Sequence, residues 1–124
     1  MQIKNKRILV TGSSGFIGTN FMRRVADVQQ YDVVGVFNTR KPKIRANNIQ
    51  YIQADLRYLV ECRELVKNVD YVCMLAGRLS TTAIMSKNPL GPITDNTAIN
   101  VNMLEAAYSA GVEKYLWLSS TTGY

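Results

Sequence analysis

Three stretches of this chain, "KRILVTG" at 6–12, "DVVGVF" at 32–37 and "DYVCMLAG" at 70–77, carry near-continuous apolar runs rather than alternating ones. Strands apolar on both faces belong in sheets covered on both sides, which is the habit of parallel sheets. Helical periods separate them: "GFIGTNFMRRVADVQQ" places Ile17, Phe21, Val25 and Val28 on one stripe, and "YLVECRELVKNV" does the same with Leu59, Cys62, Val66 and Val69. "IQYIQAD" alternates well enough for a third strand, joined to the second by an irregular basic loop from Asn38 to Asn48. After the fourth strand a loop rich in Ser, Thr, Pro and Gly is expected from Arg78 to about Pro92. Then come a long helix over "ITDNTAINVNMLEAAYSAG", closed by Gly111, and a fifth strand in "EKYLWLSS". Right-handed crossovers wind this alternation into an α/β fold, a doubly wound parallel sheet of strand order 3-2-1-4-5.

At 124 residues the chain suits one domain, 1–124, with one continuous core, and no repeat or linker divides it. Apolar residues make up 47% and charged residues 19%, ordinary globular usage that indicates neither disorder nor a disulfide scaffold. No run nears the roughly 18 apolar residues of a membrane span, and the start lacks the pattern of a signal peptide, so a cytoplasmic address is expected, without a membrane partner. Cys62 and Cys73 lack metal-ligand spacing and read as buried thiols. With no histidine, imidazole catalysis and histidine metal sites are excluded within these residues, and no metal is expected. The net charge of +6 is concentrated early, in Lys4, Lys6, Arg7, Arg23, Arg24, Arg40, Lys41, Lys43 and Arg45 against Asp27 and Asp32. Such a field attracts a phosphate-bearing ligand or simply keeps a surface wet; nucleic acid is not the expected partner.

"TGSSGFIG" follows the first strand and opens the first helix, the context in which glycines hold a dinucleotide. Their spacing is G-x-x-G-x-x-G, with Gly12 for a sharp turn, Gly15 for close approach of a pyrophosphate and Gly18 for packing of helix on strand. Ser13 and Ser14 add hydroxyl donors, and the helix N-terminus faces the phosphates. A tight strand-to-helix turn without ligand would ask for the same glycines.

Four segments in order, "TGSSGFIG", "ADL" at 54–56, "LAG" at 75–77 and "DNTAINVNMLEAAYSAGVEKYLWLSSTTGY" from Asp95 to the end, make the chain resemble the extended short-chain dehydrogenase/reductases of the NAD-dependent epimerase/dehydratase type. The resemblance implies a Rossmann fold and an enzyme that moves hydride to or from a sugar carbon of a nucleotide sugar. It places the pyrophosphate on Gly12, Ser14, Gly15, Phe16, Ile17 and Gly18, the adenine at Asp55 and Leu56, and the nicotinamide ribose beside Leu75, Ala76 and Gly77. Asp55 would equally suit a helix N-cap. Asn96 and Asn102 match the two asparagines of the family's long helix, as site residues or as supports, and Met74 stands where a His or Phe is frequent.

The end of the second strand selects the cofactor. NAD users carry a carboxylate for the ribose 2′-OH there, whereas "FNTRKPK" has none, and Arg40 with Asn38 suits a 2′-phosphate. NADP is therefore expected over NAD, the alternative being a solvated basic loop. By the same resemblance Ser120 is the catalytic serine, with Ser119 beside it; hydrogen bonding at a strand end is the plain alternative. The Tyr-x-x-x-Lys partner is absent from these residues, so the chain reads as an N-terminal part truncated after the fifth strand, inactive alone. A non-catalytic NAD(P)-sensing or interaction module is the competing reading. An uncovered fifth strand would invite self-association or a homo-oligomer.

Overall fold

The computed structural model describes residues 5–79 and 81–119. Its elements run β1 (Arg7–Thr11), α1 (Phe16–Ala26), β2 (Asp32–Phe37), β3 (Ile49–Gln53), α2 (Leu59–Leu65), β4 (Tyr71–Met74), α3 (Thr82–Lys87), α4 (Gly91–Ser109) and β5 (Lys114–Trp117). All strand pairs are parallel and the sheet order is β3-β2-β1-β4-β5, as the alternation of strands and helices requires. The register sets Thr11 beside Val36 on one side and Met74 on the other, with Trp117 beyond Met74. The C-terminal ends of the strands consequently lie along one edge of the sheet, the place where ligands bind in open α/β folds.

Side chains alternate across the sheet and fill two cores. Leu9, Val34, Val36, Val72 and Met74 pack with Cys62 and Leu65 of α2 and with Met103, Ala106 and Ala107 of α4. Ile8, Val10, Val33 and Tyr71 pack on the opposite face with Met22 and Val25 of α1. The second face is covered less completely: Leu116 pairs with Cys73 on it and stays 52% exposed. Both cysteines are free, and burial pushes the Cys62 thiol up to about 11. Among the described residues, no helix is long and apolar enough to cross a membrane.

Three expectations need correction. The buried stripe of α1 is Gly18, Met22 and Val25, while Ile17 is exposed, because the side-chain-free face at Gly18 is the one that can approach the strand turn. The segment from Arg78 to Pro92 is not all loop: α3 forms within it, where the Thr81 hydroxyl caps the helix by accepting from the Ile84 amide at 3.3 Å. β4 ends at Met74, so Leu75–Gly77 leave the sheet before the glycine, turned aside by contacts with Thr11 described below.

Candidate functional site

The β1–α1 turn is built around two glycines that admit no side chain. Gly12 has φ of 65°, and a Cβ there would stand 2.8 Å from the backbone of Leu75 and Ala76. A Cβ on Gly18 would stand 1.9 Å from the Gly12 carbonyl oxygen, so only glycine lets α1 seat on its own entry turn. At Gly15, by contrast, a Cβ would meet only the Gly12 oxygen, at an ordinary 3.4 Å, so no steric clash demands the glycine there. Gly15 is the α1 N-cap and supplies no side-chain cap, and the first turn holds no acidic residue. The amides of Phe16, Ile17 and Gly18, which no helical carbonyl can serve, remain as donors for an anion.

The neighbours of the turn hold it rigid. Thr11, fully buried, accepts from the Leu75 and Ala76 amides through its Oγ1, both at 3.1 Å, and thereby ties the end of β1 to the segment after β4. Ser13 donates its hydroxyl to the Val36 carbonyl at 2.9 Å and is buried, so it serves the sheet and offers no donor to a ligand. Ser14 does line the cleft beside the turn. Met74 points into the core, within reach of the Thr11 hydroxyl, and forms no wall of the site.

At the end of β2 a cleft of about 400 Å³ opens between α1 and the connection to β3. Ser14, Gly15, Phe16, Thr19, Asn20 and Arg23 form one wall, and Arg40, Lys41 and Lys43 the other. No carboxylate lines it, and among the described residues none of its four cations makes an ion pair. Asn38 lies just outside, its carbonyl accepting from the Gln53 side chain at 2.8 Å.

Beyond β3, the Asp55 carboxylate is held by Arg57 through a bidentate pair, Nη2 to Oδ2 at 2.7 Å and Nε to Oδ1 at 3.0 Å. Those hydrogen bonds keep the Asp55 carboxyl below the usual carboxylate range. Asp55 does not cap α2, whose N-cap is Tyr58. The Leu56 side chain is buried in the core, leaving its backbone as what it offers the edge. Asn102 on α4 donates to the carbonyls of Leu56 and Arg57 at 3.1 and 2.9 Å. Less than two turns earlier, Asn96 accepts from the Arg78 amide at 2.6 Å and donates to the Arg78 carbonyl at 3.0 Å. Both ends of the Asn96 amide are thus spent on the chain after Gly77, and its part in a site is to position that segment. Arg78 also pairs with Asp95, which Arg57 approaches at 3.8 Å.

Leu75 and Ala76 stand against the Gly12 backbone, and Gly77 follows them with the Asn96 side chain nearby. Ser119 follows β5 at the same edge and is exposed. Ser120 and Tyr124 lie outside the described residues. Among the described residues, no group of three or more His, Cys, Asp or Glu is placed to hold a metal. Sequence reading singles out neither Thr11, which braces the turn, nor Arg23, which lines the cleft; the place of Thr11 directly before Gly12 is the one available signal.

Comparison with known proteins agrees with this fold. GDP-mannose 3,5-epimerase 1 of Oryza sativa subsp. indica is 30% identical over 121 residues, covering 95% of this chain and 32% of its own length. UDP-glucose 4-epimerase of Vibrio cholerae is 28% identical over 116 residues, covering 93% and 35%. Among solved structures, an epimerase from Methanothermobacter thermautotrophicus superposes with a TM-score of 0.84 at 26% identity, over 97% of this chain and 37% of its own. The chain therefore spans about a third of the length of the curated relatives it matches. The family model for the NAD dependent epimerase/dehydratase family matches residues 8–124, nearly everything described above, and the chain belongs to that family.

Proposed function

We propose that these residues form the dinucleotide-binding part of an NAD(P)-dependent enzyme acting on a nucleotide sugar, with NADP preferred. The carrying observation is the continuous, carboxylate-free path from the α1 N-terminus through Ser14 and Gly15 to Arg40. The glycine turn suits a pyrophosphate: no side chain projects from Gly15, and the first-turn amides of α1 have neither a side-chain cap nor an acidic neighbour. Arg40 meets a 2′-phosphate, and the missing carboxylate removes the group that favours a bare ribose. Asp55 and the Leu56 backbone receive the adenine, while Leu75, Ala76 and Gly77 border the nicotinamide ribose and Asn96 holds their exit. Bound there, the nicotinamide supplies hydride acceptance and return at a sugar carbon. Ser120 holds the reacting hydroxyl, with Ser119 beside it.

Titrating NADPH and NADH against the protein by fluorescence tests this. Tighter NADPH binding is expected, and no binding of either at millimolar concentration would overturn the reading. The same polypeptide is proposed to self-associate along β5, the outer strand on its side of the described sheet, where Leu116 and Trp117 are exposed. A clean monomer by sedimentation would contradict this.

A further inference from the structure

We propose that Arg23 on α1, together with Lys43 across the cleft, completes with Arg40 a clamp for a phosphate on the adenosine ribose. The helix, and not the strand end alone, then sets the preference for a phosphorylated ribose. This rests on the NADP reading above and adds residues to it. Phe16, Thr19, Asn20 and Arg23 recur at helical spacing, so one face of α1 forms a whole wall of the cleft. Long side chains on a helix run back toward its N-terminus, which carries the Arg23 guanidinium toward Ser14 and Gly15. Asn20 fixes it there. Its Oδ1 accepts from Arg23 Nη1 at 3.1 Å, and its own Nδ2 donates to the Phe16 carbonyl at 2.8 Å.

The facing wall is also held in place. Pro42 is buried, and the Tyr51 hydroxyl donates to the Ile44 carbonyl at 2.7 Å, so Lys41 and Lys43 flank an anchored backbone. The Tyr51 ring occupies the room left by Gly35, where a Cβ would stand 2.5 Å from it. Four cations around one cleft repel one another unless an anion enters, and no carboxylate lining it is available to do so. Because Ser14 and Gly15 belong both to this cleft and to the pyrophosphate turn, the anion that fits is one attached to the same adenosine. Arginine on one wall and arginine with lysine on the other can share the three oxygens of a phosphate monoester through charge-assisted hydrogen bonds.

The test compares adenosine 2′,5′-bisphosphate with adenosine 5′-monophosphate, which differ only in the 2′-phosphate, by calorimetry on the unaltered protein, R23Q and R24Q. Arg24 is exposed and does not line the cleft, so R24Q controls for the loss of one positive charge. R23Q is expected to weaken the bisphosphate about tenfold and leave the monophosphate within about twofold, while R24Q changes neither beyond about twofold. Equal behaviour of R23Q and R24Q, or a bisphosphate preference intact in R23Q, overturns the clamp and leaves the NADP reading standing. An unaltered protein that does not distinguish the two nucleotides overturns both.

Discussion

The glycine turn at Gly12–Gly18 and the basic connection at Asn38–Asn48 border the same cleft and hold a ligand by opposite means. The turn works through backbone atoms packed until side chains are excluded, with a hypothetical Cβ on Gly18 at 1.9 Å from a carbonyl oxygen. The connection works through long exposed side chains, of which Arg40, Lys41 and Lys43 meet no carboxylate among the described residues. Steric requirements of the first kind couple binding to folding, because the same contacts seat α1 on the sheet. Charges of the second kind are separable from folding, so specificity can change there while the fold is kept.

The strongest way to break that contrast is Gly18→Ala. The added Cβ meets backbone that cannot swing aside, and a loss of roughly 3 kcal/mol or more is expected in denaturant unfolding, with both dinucleotides released together. A variant of native stability would refute the steric account. Thr11→Val is next, leaving the Leu75 and Ala76 amides without their acceptor at a cost of about 1–3 kcal/mol. Both cofactors should weaken equally, and Thr11→Ser should restore stability because it keeps the oxygen.

Arg40→Gln probes the other region. NADPH affinity should fall about tenfold, NADH affinity should hold within about twofold, and the unfolding midpoint should correspond to a change within about 0.5 kcal/mol. Equal weakening of the two cofactors would erase the distinction between the regions. The smallest effect concerns Asp55, which combines both modes: a charged group, but one already satisfied by Arg57. Its folded pKa is lowered, so its contribution to stability is present above the ordinary carboxylate value of about 4 and is lost as pH falls through the folded value. Unfolding midpoints measured from pH 6 down to pH 2 should therefore fall less steeply in Arg57→Gln than in the unaltered protein. Parallel curves would remove the pair from the account.

How far the sequence could be read follows from the range of the interactions involved. Strand order was legible because apolar runs and helical stripes are local, and parallel strands joined by right-handed crossovers leave few arrangements. α3 was illegible, since every described residue from Thr81 to Leu90 is exposed and no apolar period marks it. On α1 the expected stripe holds at Phe21 and Val25, which pack on the core, and fails at Ile17, which is exposed because Gly18 and Met22 carry the packing. In the site, the three glycines were legible because their spacing is itself the constraint. Thr11 bonds to residues 64 and 65 positions away, and Ser13 to one 23 away, distances that no motif encodes. Arg23 looked like any surface cation until the helix was set opposite Lys43.

The alternation of strands and helices, the glycine spacing of the first turn, and a basic strand end without a carboxylate are all written in the amino-acid order. Those are properties of residue type and spacing. That Met74 and Leu56 turn into the core, that Asn96 and Asn102 hold the segments after β4 and β3, and that Arg23 shares a cleft with Arg40 follow from the folded arrangement alone. The reason is that a side chain's use depends on which partner reaches it first. In a sheet of order 3-2-1-4-5 those partners come from elements far apart in the chain.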